Sequence, residues 1–397
     1  MKHAILTSLV VFGLVQIADP VTSHKISAAS VVRAAEEPQQ HPNFIPVQGG
    51  NLSGKIETAV RQARATNPQA KFWTGWSFDV RPGVAVDYEW RSKDGKFRSS
   101  GDGFNVSFDR DIETRNLGVF LLHEAGAISR VEVYNLERQR NYDGHTVFWA
   151  GKVSNDESLN YLRELTETQP NKKNSEHGVV AIALHNDSRV GGMLKQFVRS
   201  LPGKDVRNSA VFWLGQIGGE TAFLSELVTS DQENVEVRKQ AAFAIGVSKD
   251  SNALATLQSL FQSVTNREVK KQLVFAVSVN GNKETGQEEA INSLINIATN
   301  EKDVEVKKQA IFWLGQKAGE RSLKVLGDTV NSNDADTEVQ KQAVFAISQR
   351  SKDEAVPLLI DIAKTHAKAD VRKQAIFWLG QTGDERAVTF FKELLSK

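Results

Sequence analysis

From residue 206 to the carboxy terminus, one pattern of apolar and polar positions returns six times. A valine opens each copy, and apolar residues follow at helical spacing. A turn closes the first stretch, and a second amphipathic stretch completes the unit. The opening valines are Val206, Val237, Val269, Val306, Val339 and Val371, at spacings of 31, 32, 37, 33 and 32 residues. Two degenerate copies precede them, marked by Val147-Phe148-Trp149 and by Val179-Val180-Ala181-Ile182, which makes eight units over 141–397. One unit of this length cannot bury its own apolar stripe, whereas stacked units bury one another's. The pattern therefore predicts two helices per unit. In the last unit they are expected at 371–379 and 384–395, with Gly380-Gln-Thr-Gly383 as the turn.

Helical geometry assigns the positions of each first helix, counted from its valine. Positions 1, 5, 8 and 9 fall in a sector of about 100° and form the core. Position 8 switches between Trp213, Trp313, Trp378 and the small Ala244, Ala276, Ala346. This predicts size complementation between stacked units, with tryptophans that stack on sugars as the alternative. Position 7 holds Phe212, Phe243, Phe275, Phe312, Phe345 and Phe377, although it points about 120° away from the core centre. Position 3, on the same side, holds Lys239, Lys271, Lys308, Lys341 and Lys373, and position 11 adds Gln216, Gln316, Gln349 and Gln381. Two readings follow. Either each ring packs against the neighbouring unit under lysine stems, or the row lines a groove that grips an acidic or hydrophobic segment of another protein.

Before every valine stands an acidic residue: Asp205, Glu236, Glu268, Glu305, Glu338 or Asp370. A negative charge there complements the helix dipole, so these six are structural. Ser351-Lys-Asp-Glu354 is a capping box. The unit opening at Val269 carries extra residues in its turn, over 279–287, which reads as drift in a tolerant loop.

Upstream the period changes to two. Runs at 72–80, 84–90, 117–123 and 128–136 alternate or are β-branched and aromatic, and 124–127 is a hairpin loop. A helix over 55–66 leads them, so 56–140 is expected to be a small β-rich domain and 24–55 a linker. Val86, Tyr88 and Trp90 share one strand face, with Asp87 and Glu89 on the other. Met1-Lys2-His3 followed by an apolar run over 4–17 has the form of a secretory signal over 1–23, with Ala28-Ala29 and Ala34-Ala35 as further cleavage positions.

The repeat unit, with Val-Arg, then Ala, then a Leu-Gly turn, resembles the HEAT-like repeats of the bilin-lyase type. The resemblance covers the chain from about residue 142 onward. It implies a mainly α protein, an α–α superhelix with an extended concave face, preceded here by the β-rich domain. Such families mostly bind other molecules, and some are enzymes. The phenylalanine row departs from them, since they usually carry polar residues at position 7. Enzymes resembling deoxyhypusine hydroxylase hold iron through His-Glu pairs in their repeats. The one such pair here, His123-Glu124, lies outside the repeats, so that activity is not supported.

Charge and composition narrow the function further. Lys+Arg number 49 against 48 Asp+Glu, a net charge of +1, which argues against a nucleic-acid binder. There is no cysteine, which excludes disulfides, thiol nucleophiles and thiolate metal sites. Gly49-Gly-Asn-Leu-Ser-Gly54-Lys55 nearly matches a phosphate-cradling loop, but Ile56 stands where the magnesium-binding hydroxyl belongs. His177 and His185 lack a third ligand at metal spacing. The expectation is thus a non-catalytic scaffold or adaptor without cofactor or metal, periplasmic or secreted, with another protein as partner and no membrane span once the signal is removed. Two alternatives stand beside it. One is an enzyme or carbohydrate binder using Trp73, Trp76, Asp87 and Glu89 of the β-rich domain, and the other is a spacer with no binding role.

Overall fold

The computed structural model describes residues 44–86, 106–107, 114–138, 140–168, 172–201, 203–281, 286–317, 319–332 and 336–396. Strand β1 (Phe44–Pro46) leads into helix α1 (Leu52–Thr66), β2 (Phe72–Ser77), the short pair β3 (Ala85–Val86) and β4 (Val106–Ser107), then β5 (Leu117–Glu124), β6 (Ala127–Asn135) and β7 (Val147–Lys152). Five of these form one sheet in the order β1-β7-β2-β5-β6. β7 runs parallel to both β1 and β2, while β5 is antiparallel to β2 and β6. The expected hairpin at 124–127 is present, with Ala125 and Gly126 in the left-handed turn.

Two expectations need correction. Val147-Phe148-Trp149, read as a degenerate helical unit, is the strand β7. It has backbone partners on both sides, Val147 lying opposite Phe44 and Trp73. Pairing with two neighbours gives hydrogen-bond partners to the main chain of a run too short for a stable helix. Part of the stretch read as linker is also ordered structure. β1 supplies an edge of the sheet, and α1 starts three residues earlier than expected because Asn51 caps it, accepting from the Gly54 N–H at 2.9 Å. Asp87, Tyr88, Glu89 and Trp90, the amino-terminal signal pattern and most of the extra turn after Val279 lie outside the described residues.

After a single helix α2 (Asn155–Thr168) the chain forms seven helix pairs, against the eight units expected. They are α3 (Lys172–Ala183) with α4 (Val190–Ser200), α5 (Lys204–Ile217) with α6 (Thr221–Thr229), and α7 (Val235–Val247) with α8 (Ala253–Ser263). Next come α9 (Arg267–Asn280) with α10 (Gln287–Asn300) and α11 (Val304–Gly315) with α12 (Glu320–Asn331). Finally α13 (Thr337–Ser348) pairs with α14 (Lys352–Thr365), and α15 (Ala369–Thr382) with α16 (Glu385–Leu395). The valines at position 1 and alanines at position 5 are buried in a core that runs through all pairs.

Neighbouring first helices touch through small residues. A Cβ built on Gly215 would lie 2.4 Å from the Ala244 carbonyl oxygen, and on Gly246 2.8 Å from that of Ala276. On Gly315 it would lie 2.8 Å from both the methyl and the carbonyl oxygen of Ala346. Glycine at position 10 therefore receives alanine at position 8 of the next unit. Where position 8 is Trp313 or Trp378, position 10 of the unit before is Ser278 or Ser348, and those helices pack less closely. Size complementation thus operates between units, with position 10 as the partner of position 8.

The sheet joins the helices through one face. Trp76, Val119, Leu121, Val131 and Val133 belong to the same core as the repeats. At this junction Trp76 Nε1–H donates to Ser158 Oγ at 2.8 Å. His185 Nδ1–H donates to the Ala181 carbonyl at 2.8 Å, so its Nε2 accepts from the Ser158 hydroxyl at 2.7 Å. All three residues are fully buried, and His185 stacks on Phe78 with ring centroids 3.9 Å apart.

Candidate functional site

The first helices are built to hold position 7 in a row. Asn234, Asn266, Asp303 and Asp336 cap α7, α9, α11 and α13, each accepting from the N–H of the acidic residue before the valine. The residue at position 2 caps the preceding unit in turn. Arg207 Nε–H donates to the Val198 carbonyl at 2.6 Å, Arg238 Nε–H to Val228 at 2.9 Å, Gln340 Nε2–H to Val330 at 2.8 Å and Arg372 Nη1–H to His366 at 2.6 Å. These bonds satisfy carbonyls that a helix end leaves open and set the register between units.

With register set, the phenylalanines meet. Phe212 and Phe243 stack with centroids 6.3 Å apart and planes 14° from parallel. Phe243 and Phe275 stack at 5.8 Å and 4°, and Phe312 and Phe345 at 6.1 Å and 11°. Trp313 bridges Phe275 and Phe312, at 4.9 Å from each, and Trp378 bridges Phe345 and Phe377, at 5.0 Å from each. The result is one aromatic ladder over six units. Its rings are half-buried except Phe377, which is 55% exposed. The packing reading of position 7 describes this arrangement, for the rings stack on one another between units while staying partly exposed.

The lysines at position 3 lie differently from what a basic groove requires. Each pairs with the carboxylate three residues earlier on its own helix. Lys239 reaches Glu236 at 3.1 Å, Lys271 reaches Glu268 at 3.3 Å, and Lys308 reaches Glu305 at 3.1 Å. Lys341 reaches Glu338 at 2.9 Å, and Lys373 reaches Asp370 at 3.8 Å. The row beside the rings is therefore a line of ion pairs.

Sequence reasoning overlooked position 4. Gln240, Gln272, Gln309, Gln342 and Gln374 sit one helical turn before the rings and are half-buried. Among the described residues none of these five amides has an intramolecular hydrogen bond. The recurring Lys-Gln after each valine was visible, but it served only to mark the repeat.

The remaining candidates do not assemble. Trp73 and Trp76 are fully buried and lie in different clusters on opposite faces of the sheet, so they cannot line one pocket. Trp73 donates to the Tyr142 carbonyl at 3.0 Å. Lys55 of the near phosphate loop donates to the Ala150 carbonyl of β7 at 2.9 Å. His123 stacks on Phe72, lies 2.9 Å from Thr74 Oγ1 and is held neutral by burial, its pKa lowered to about 4. His185, likewise desolvated and lowered to about 4, is enclosed at the junction described above. His177 donates to the Val131 carbonyl at 2.5 Å. Among the described residues no group of three or more His, Asp and Glu is placed to hold a metal ion. Open grooves of about 560 and 680 Å³ lie beside α12 and between α8 and α10, away from the ladder. No helix among the described residues is long and apolar enough to cross a membrane.

A family profile described as HEAT repeats matches residues 328–397. That stretch takes in the end of α12 and the last two helix pairs of the array. Human deoxyhypusine hydroxylase is 14% identical to this chain, covering 60% of it and 90% of its own length with a TM-score of 0.29. The complex of CpcE and CpcF of phycocyanin lyase from Nostoc is 15% identical, covering 62% and 94% with a TM-score of 0.29. Kap95p, which binds RanGDP, is 13% identical, covering 56% and 36% with a TM-score of 0.36. No curated protein matches the sequence.

Proposed function

We propose that this protein is a non-catalytic binding scaffold whose first helices present the aromatic ladder to a partner protein. The observation that carries the reading is the row of partly exposed rings from Phe212 to Phe377, continued across Trp313 and Trp378. Apolar surface kept open over several units is what a protein contact covers. HEAT repeats as a class, and Kap95p among the similar structures, support a binding role. A hydrophobic rather than an acidic partner segment is favoured, because the neighbouring lysines are already paired with carboxylates.

The test is comparative capture from native extract by the chain lacking residues 1–23. A combined Phe345→Gln and Phe377→Gln variant, verified as folded by circular dichroism, is run beside it. A protein retained by the parent and lost by the variant supports the scaffold reading; equal retention by both removes the ladder from it.

The proposal extends to location. The basic start and apolar 4–17 run support export to the periplasm or beyond. Mass spectrometry of the amino terminus and osmotic-shock fractionation test this, and an unprocessed chain confined to the cytoplasm would overturn it.

A further inference from the structure

We infer that the ladder's occupant is an uncharged polypeptide segment in extended conformation, with apolar residues at alternate positions. Its backbone is read by the glutamine row at position 4. This inference rests on the ladder being a protein-binding surface.

The glutamines identify the partner's backbone state. Gln240, Gln272, Gln309, Gln342 and Gln374 occupy the same position in five successive units, half-buried and without an intramolecular partner among the described residues. A primary amide both donates and accepts, which matches a peptide group that needs an acceptor for its N–H and a donor for its carbonyl. An extended chain leaves those groups free, whereas a helix bonds them internally.

Spacing fits the same occupant. Rings within the Phe212–Phe243–Phe275 block lie 6.3 and 5.8 Å apart, and Phe312 and Phe345 lie 6.1 Å apart. Two residues of extended chain advance about 6.6 Å, so every second side chain meets a ring edge. The three-ring block then takes about five residues, and Trp313 breaks the register before the next block. A helix matches the ring spacing every fourth residue, but it gives the amides only side chains to bind.

Charge favours an uncharged occupant over a polyanionic one. In five of the six units the position-3 lysine is engaged by a carboxylate of its own helix, from Lys239 with Glu236 to Lys373 with Asp370. A phosphate or carboxylate arriving there meets these Glu and Asp side chains as well as the lysines, so the row offers it little net positive charge.

The experiment probes the full chain with four immobilised pools of equal length. The first alternates Val, Leu or Ile with Ser, Thr or Gln. The second places the apolar residues four apart in an alanine-rich helical background. The third alternates apolar residues with Glu, and the fourth is oligouridine. Selection from the first pool is expected. A selected peptide is then titrated against the chain carrying Gln240→Met, Gln272→Met and Gln309→Met together, and against a version of the peptide N-methylated on alternate backbone nitrogens. Both changes are expected to weaken binding roughly tenfold or more, with an unchanged melting temperature for the glutamine variant.

Selection from the helical, acidic or oligouridine pool, or from none, overturns the inference. So does full affinity of the methionine variant or of the N-methylated peptide. If the glutamine changes are silent while Phe243→Ser abolishes binding of the selected peptide, the scaffold reading stands and the backbone-reading inference alone fails.

Discussion

Arg238 shows how one repeated residue serves two units. Its guanidinium is almost fully buried, donates to the Val228 carbonyl at the end of α6 and reaches Asp231 at 2.8 Å. Removing it leaves that carbonyl unsatisfied and opens a hole beside α7. Arg238→Ala is expected to cost about 2 kcal/mol in urea unfolding, while Lys373→Ala, whose pair is exposed and 3.8 Å apart, is expected to change little.

The two buried histidines make a second prediction at this scale. Desolvation, the largest cause at both, lowers His123 and His185 to about 4. An unfolded chain takes up those protons near the ordinary imidazole value, about 6.5, and the folded chain refuses them. Their contribution is therefore complete above that value and is lost as pH falls from it towards 4. At pH 5 the loss is about 2 kcal/mol for each histidine. Thermal melts at pH 7.5 and 5 are expected to show it, with a shallower dependence in His185→Asn.

Among elements, the decisive contact is between consecutive first helices. Position 10 offers an internal control, because a Cβ on Gly246 would lie 2.8 Å from the Ala276 carbonyl oxygen whereas one on Gly380 meets nothing within 4 Å. Gly246→Val is expected to force α7 and α9 apart and cost about 2–3 kcal/mol. Gly380→Ala, in a helix interior with open space, is expected to stabilise by roughly 0.5–1 kcal/mol. Equal effects at the two sites, measured by thermal unfolding, would show that the close approach of helices is not what glycine serves here.

At this scale the chain was readable where contacts are local. The acidic residue before each valine, the alternation at position 8 and the last helix were visible, because each depends on neighbours within one or two turns; α15, by contrast, continues through Gly380 to Thr382, where a turn was expected from 380. The i,i+3 pairing of Lys239 with Glu236 was equally local and was passed over by treating the lysines as free charge.

For the whole molecule, the junction of sheet and repeats turns on Ser158. Its hydroxyl accepts from Trp76 of β2 and donates to His185 after α3. Ser158→Ala leaves a buried indole N–H and an imidazole nitrogen without partners and is expected to cost about 2–3 kcal/mol. Hydrogen exchange should then quicken in β2 and α3 before α11–α16, since coupling along a repeat stack passes only between neighbours. Uniform loss of protection would contradict this.

The sequence by itself determined the helical repeat and the row of phenylalanines, since a helix's periodicity and side-chain direction follow from residues three and four apart. Only the tertiary structure decided that 147–152 is a strand, because its backbone partners lie about a hundred residues away in β1 and between 70 and 80 in β2. It also decided that the phenylalanines stack into one ladder and that Trp73 and Trp76 face opposite ways into separate cores. Those outcomes depend on which surfaces meet when distant elements pack, and no spacing along the chain encodes that directly.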